Sequence, residues 1–130
     1  MSELPEEVRD SIAAWLEYAT TDLRAAETLL TSGLSGPACF HAQQAAEKAL
    51  KAYLLRLGAT SVPRTHDLDA LSEAIRRRGG SVPVEQALSH LSDYAVESRY
   101  PELPLPGHDE ARAATAVASA VLVWVRDAVR

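Results

Sequence analysis

Apolar residues recur at three- and four-residue intervals in five stretches of the chain, the period of an amphipathic helix. The first stretch, Val8, Ile12, Trp15, Leu16, Ala19, Leu23, Ala26 and Leu30, predicts a helix that opens near Pro5 and ends at Gly33. Proline suits a first helical turn, and Glu6 and Glu7 lie where the helix dipole favours negative charge. Asp22 falls at the edge of this stripe, beside Trp15 and Tyr18 on a helical wheel. A second helix starts after Ser35, Gly36 and Pro37, with Ser35 or Gly36 as cap, and stops at Gly58. Phe40, Ala46, Leu50, Tyr53, Leu54 and Leu57 form its broad apolar side, with Gln43 among them. Ala38, Ala42, Ala45, Ala49 and Ala52 make an adjacent strip that a neighbouring backbone can approach closely. His41, Gln44, Lys48 and Lys51 occupy the remaining face.

A third helix is predicted to open near His66 or Asp67, with Leu68, Leu71 and Ile75 inward. Arg76 to Arg78 at the negative dipole end, followed by Gly79 and Gly80, close it. A fourth starts around Ser81 to Pro83, turns Val84, Leu88, Leu91 and Ala95 to the core, and ends before Pro101. Arg99 to His108 reads as loop, because Pro101, Pro104 and Pro106 remove backbone donors. Asp109 is the expected cap of the last helix, whose core side is read as Ala113, Val117, Ala120, Val121, Trp124, Val125 and Ala128. That helix is apolar round most of its circumference, which predicts a central position or a subunit interface. No strand-period segment or repeat interrupts the pattern. The expected fold is all-α: an up-and-down helical bundle of four main helices plus a short extra helix, one domain over residues 1–130.

Composition agrees with this picture and narrows the functions. Of 130 residues, 47% are hydrophobic and 24% charged, the balance of a folded chain, and alanine supplies much of the apolar share. A formal net charge of -5 disfavours sequence-independent nucleic-acid binding and leaves room only for a local basic patch. Cys39 is the single cysteine, so neither an intramolecular disulfide nor a zinc cluster is expected, and no metal or cofactor is. The acidic start is no secretory signal, and no apolar run reaches the about 18 residues that would suggest a membrane span. The expected location is cytoplasmic.

The His41, Gln44, Lys48 and Lys51 face is the candidate anion site, since two ammonium groups a turn apart can meet phosphate while imidazole and amide give direction. Its plain alternative is a solvated face with Glu47 and Lys51 as an ordinary four-apart pair. Asp22, half sunk beside apolar residues, needs a partner, and Lys48 or Arg99 is expected to be it. Gln43 should satisfy a buried polar group. Arg99 and Tyr100, with Tyr94 shortly before them, open the proline-stiffened loop from which a guanidinium could be held toward phosphate. His66, at a helix start, is read first as a cap or packing residue, and Arg64 with Arg76 to Arg78 as solvated. No nucleophile elbow or phosphate-cradling glycine loop is present.

Several of these pieces together resemble one family. The run from Trp15 to Ala26, containing Asp22, resembles its opening pattern, and Cys39-Phe40-His41-Ala42-Gln43-Gln44-Ala45-Ala46-Glu47-Lys48-Ala49-Leu50-Lys51 is similar to its most recognisable helix. His66-Asp67-Leu68 and Ser98-Arg99-Tyr100-Pro101 match two later signatures in order. The family is HEPN, named for its occurrence in higher eukaryotes and prokaryotes and for nucleotide binding. The resemblance implies a helical bundle, commonly dimeric, and many prokaryotic members are paired with a minimal nucleotidyltransferase as toxin and antitoxin. Some members are metal-independent ribonucleases, marked by an arginine, a polar residue next to it and a histidine after four to six intervening residues. Here Tyr100 follows Arg99 and eight residues separate Arg99 from His108, so that signature is missing in its usual form. The expected function is therefore a homodimeric nucleotide- or RNA-binding partner of a nucleotidyltransferase. The alternatives are a metal-independent endoribonuclease, with Arg99 orienting phosphate and His66 or His108 moving protons, and a dimeric structural adaptor without ligand.

Overall fold

The computed structural model describes residues 3–97, 101–102 and 104–130. Helix α1 runs Glu6–Thr31, with Pro5 just before it accepting from the amides of Val8 and Arg9. Gly33 takes a φ of +79° after the last turn, a conformation that favours glycine, and lets Leu34 N–H reach back to the Leu29 carbonyl. That tight reversal starts α2, Ser35–Arg56, so the two helices form an antiparallel hairpin. Pro37 stands in the first turn of α2, where its missing donor leaves nothing unpaired.

The short helices follow as α3 (Leu68–Arg77), α4 (Glu85–Ser92) and the single turn α5 (Tyr94–Glu97), before α6 (His108–Ala128). All regular structure among the described residues is helical, as the periodicity requires. Leu105 and Pro106 lie against Gly36 at the start of α2, while the Trp124 ring meets Tyr53 edge-on near its end, 5.0 Å between centroids. Helix α6 thus runs beside α2 in the same direction, and α3 to α5 make the return leg. The expected up-and-down course is kept, with three short helices standing in one leg.

Asp67 caps α3 as its spacing suggests, its carboxylate accepting from the amides of Asp69 and Ala70. Leu68, Leu71 and Ile75 are fully buried. Gly80 closes the turn beneath them, where a Cβ would come within 2.7–2.8 Å of Leu57, Ile75 and the Tyr53 hydroxyl. The fourth predicted helix is broken at Asp93 into α4 and α5. Its expected core residue Val84 is instead 46% exposed, because Val82 fills the buried place before α4. Val84 adopts a left-handed φ of +51°, which a β-branched side chain tolerates poorly. Removing that strain by Val84→Gly should therefore raise stability, by up to about 1 kcal/mol after glycine's own entropy loss is subtracted. Urea unfolding checks this; a loss larger than about 1 kcal/mol would mean that the Val84 side chain packs more than it strains.

The sequence offers the last helix either a central position or a subunit interface, and the structure gives the centre to another helix. Helix α2 is the central element: 15 of its 22 residues are buried, and it packs on α1, α3, α4, α5 and α6. Helix α6 buries Ala111, Ala114, Thr115, Ala118, Val121, Leu122 and Val125 and leaves Ala113, Ala116, Ala120 and Val123 in the open. The predicted stripe is thus rotated, with Ala113 and Ala120 out and Leu122 in. A helix apolar on two sides carries no periodic signal that chooses between them. Thr115 is tolerated on the buried side because its hydroxyl donates to the Ala111 carbonyl at 2.8 Å. Gly107 rather than Asp109 precedes the first turn of α6, its amide donating to the Glu110 carboxylate, while Asp109 pairs with Arg112.

Candidate functional site

Two carboxylates organise the polar flank of α2. Asp22 projects from α1, nine-tenths buried, and its two oxygens separately meet His41 Nδ1 at 2.9 Å and Lys48 Nζ at 2.5 Å. Lys48, one of the two expected partners, is in place. Tyr18 flanks the same ammonium, 5.9 Å from its ring centre. Glu47, one turn along α2, is 3% exposed and divides its oxygens in the same manner, accepting from Lys51 Nζ at 2.9 Å and meeting His66 Nδ1 at 2.8 Å. The Lys51 ammonium lies over the Trp15 ring, 5.5 Å from its centre. Each carboxylate therefore holds one lysine and one histidine.

Glutamine links the second of these clusters to the surface. Gln43, fully buried, donates through Nε2 to the His66 carbonyl at 2.9 Å and more weakly to Glu47 at 3.4 Å. Its own carbonyl oxygen accepts from Gln44 Nε2 at 2.8 Å. The amide that sequence alone places among apolar neighbours thus fixes the backbone of the loop before α3 at His66. Residues four apart advance a helix by only 40°, so Gln43, Glu47 and Lys51 follow one another up the same slightly drifting line.

That line corrects the sequence-based placement of two charges. The sequence pattern puts Lys51 on an open face, yet its side chain is nearly as buried as that of Glu47. It neutralises Glu47 and offers no free positive charge, which removes it from the open cationic row. His41, Gln44 and Lys48 keep partial access to solvent. Glu47 is likewise no member of an ordinary surface pair; the core placement of Gln43 one turn earlier is the signal in the sequence that it faces inward.

His66 is the most open member of the network, with 59% of its side chain exposed. It stands on the rim of a cleft of about 710 Å³ that Asp67, Asp69, Ser89, His90, Ser92, Asp93 and Ala95 also line. Ser92 Oγ accepts from the Leu68 amide and Ser89 Oγ donates to Asp69, tying α4 to the start of α3 across its floor. Among the described residues no group of three His, Cys, Asp or Glu side chains could hold a metal ion. None of the described helices is long and apolar enough to cross a membrane.

The remaining expected site residues fall elsewhere. Tyr94 lies on a separate, more apolar groove between α4, α5 and α6, where its hydroxyl approaches Glu110 at 3.3 Å. His108 is the exposed first residue of α6. Arg99 and Tyr100 lie outside the described residues, and with them the pairing of Arg99 with Asp22 that the sequence offers as the alternative to Lys48. Arg76 bridges Glu73 and Glu85 and is not simply solvated; its hydrogen bond holds the Glu73 carboxyl below the ordinary value, and the same bond raises the guanidinium.

A family model of the HEPN domain matches residues 12–128. The fold is similar to the crystal structure of TT1696 from Thermus thermophilus, with 32% identity and a TM-score of 0.75 over 90% of this chain and 97% of that one. It is also similar to ST0689, an archaeal HEPN homologue, with 26% identity and a TM-score of 0.73 over 92% of this chain and 98% of that one. None of the curated proteins matches the chain.

Proposed function

The chain belongs to the HEPN family, and from that premise we propose that it binds a nucleotide or an RNA end and works as the partner of a minimal nucleotidyltransferase in a toxin–antitoxin-type pair. One observation carries the reading. Three separate sequence signatures, around Asp22, along His41 to Lys51 and at His66, meet in one polar flank formed by α1, α2 and the loop before α3. A fold that needed only a core could fill these places with apolar side chains at no loss of stability, since buried ion pairs seldom outperform well-packed hydrocarbons. The outer edges of His41, Gln44, Lys48 and His66 supply donors and acceptors of the kind a nucleotide presents in return.

The test is calorimetric titration with ATP and with a 5′-phosphorylated oligoribonucleotide, beside co-purification with a co-expressed minimal nucleotidyltransferase. Lys48→Met should weaken binding by about tenfold, the size of one charge-assisted hydrogen bond. Neither ligand nor transferase bound by the wild-type chain would end the proposal.

His66 on its cleft also favours a second reading, metal-independent RNA cleavage with imidazole moving the proton. Cleavage in EDTA that His66→Ala abolishes would support it. A second copy of the chain belongs to the first reading, seated on the open Ala113, Ala116, Ala120 and Val123 face of α6.

A further inference from the structure

The environment of His66 fixes more than its position. Glu47 is buried, already neutralised by Lys51, and a carboxylate so held can only accept a hydrogen bond. The hydrogen between Glu47 and His66 therefore belongs to Nδ1. In the neutral ring this leaves Nε2 bare, with its lone pair on the far side from Glu47, the side that is open at the cleft rim. Gln43 prevents the loop from turning the ring away, because it grips the His66 carbonyl from within the core.

A bare imidazole nitrogen accepts hydrogen bonds and takes protons; it does not attract an anion. The rest of the cleft agrees, since the carboxylates of Asp67, Asp69 and Asp93 line it and would repel a phosphate. Its complement is a group that carries hydrogen-bond donors and no negative charge. Within a nucleotide or RNA end, that group is the ribose with its hydroxyls.

We infer that the cleft beside His66 takes the ribose of the ligand, with His66 Nε2 accepting from a sugar hydroxyl and Glu47 acting as the positioning residue that keeps Nδ1 protonated. This rests on the nucleotide- or RNA-binding reading above and adds the part of the ligand recognised and the atom that recognises it. The phosphate then lies outside the cleft, toward the Lys48 side of α2.

The experiment uses the whole chain, labelled with 15N at histidine. Nitrogen–proton correlation spectra at neutral to mildly basic pH should show His66 protonated at Nδ1, with Nε2 as the unprotonated nitrogen. Addition of adenosine should shift the Nε2 resonance, and 2′,3′-dideoxyadenosine should bind about tenfold more weakly and leave that resonance unmoved. His66→Ala, which leaves Glu47 paired with Lys51, should bring the two nucleosides to equal affinity. A neutral His66 protonated at Nε2 overturns the inference whatever binds. Nucleotide binding that leaves the His66 nitrogens unmoved and ignores the sugar hydroxyls overturns it while the broader reading stands. A chain that binds no nucleoside, nucleotide or RNA overturns both.

Discussion

Glu47→Ala should destabilise the protein by about 3–5 kcal/mol, the range expected when one member of a buried ion pair is removed. The residue is 3% exposed and Lys51 is 6% exposed, so the orphaned ammonium has no ready route to water and keeps only the face of Trp15 beside it. His66 Nδ1 loses its acceptor at the same time, and Gln43 keeps a single acceptor, the His66 carbonyl. The penalty comes from groups left behind more than from the bond itself. A paired change, Glu47→Leu with Lys51→Met, should recover most of the loss, because both charges then leave the interior together. Urea unfolding of the two variants separates these terms. If Glu47→Ala stayed within about 1 kcal/mol of the parent, water would have to reach Lys51, and the orientation of His66 by a dry carboxylate would be lost with it.

This result bears on function because the same atoms serve both purposes. The Lys51 pair makes Glu47 tolerable in the interior, and Glu47 in turn decides which nitrogen of His66 meets a ligand. The double variant offers a way to divide the roles, since it should fold while leaving His66 without its acceptor. Stability would return, and discrimination for ribose hydroxyls would not.

How much of this can be read from residues alone depends on whether neighbours in the chain or neighbours in space decide the matter. Helix ends are legible wherever a local device acts: Gly33 and Gly58 stop helices by positive φ, and Asp67 caps α3 with its own side chain. The division of apolar and polar faces is legible for α1 and α3, which have one buried side each. It fails for α2, where alanines cover several sides and even Glu47 and Lys51 are enclosed by Trp15 and the loop carrying His66. A lysine four residues after a glutamate looks the same on a wet face and in a dry one. Lys48 as a partner of Asp22 follows from the cost of burying a lone carboxylate, whereas His41 as its second partner escapes that argument. Two acceptor oxygens on one group allow two partners, and that count is available from chemistry alone.

Helix α6 gives the second large effect. Leu122→Ala should cost about 2–5 kcal/mol, as deletion of a fully enclosed leucine does when its surroundings cannot collapse. Leu122 is 1% exposed, whereas its neighbour Val123 is 58% exposed, so Val123→Ala should change the stability of the separate chain by no more than about 0.5 kcal/mol. The comparison tests the rotation of this helix directly, because a residue's advance of 100° is enough to exchange the two outcomes. Chemical unfolding at several protein concentrations adds the information that one concentration lacks. A Val123→Ala effect that grows with concentration would mean that the open face of α6 is covered by a second copy, since stability drawn from association depends on protomer concentration and stability drawn from the core does not. Equal losses for Leu122→Ala and Val123→Ala at high dilution would instead overturn the packing of α6 against α2, and with it the leg of the bundle that leaves the α1 and α2 flank free for a ligand.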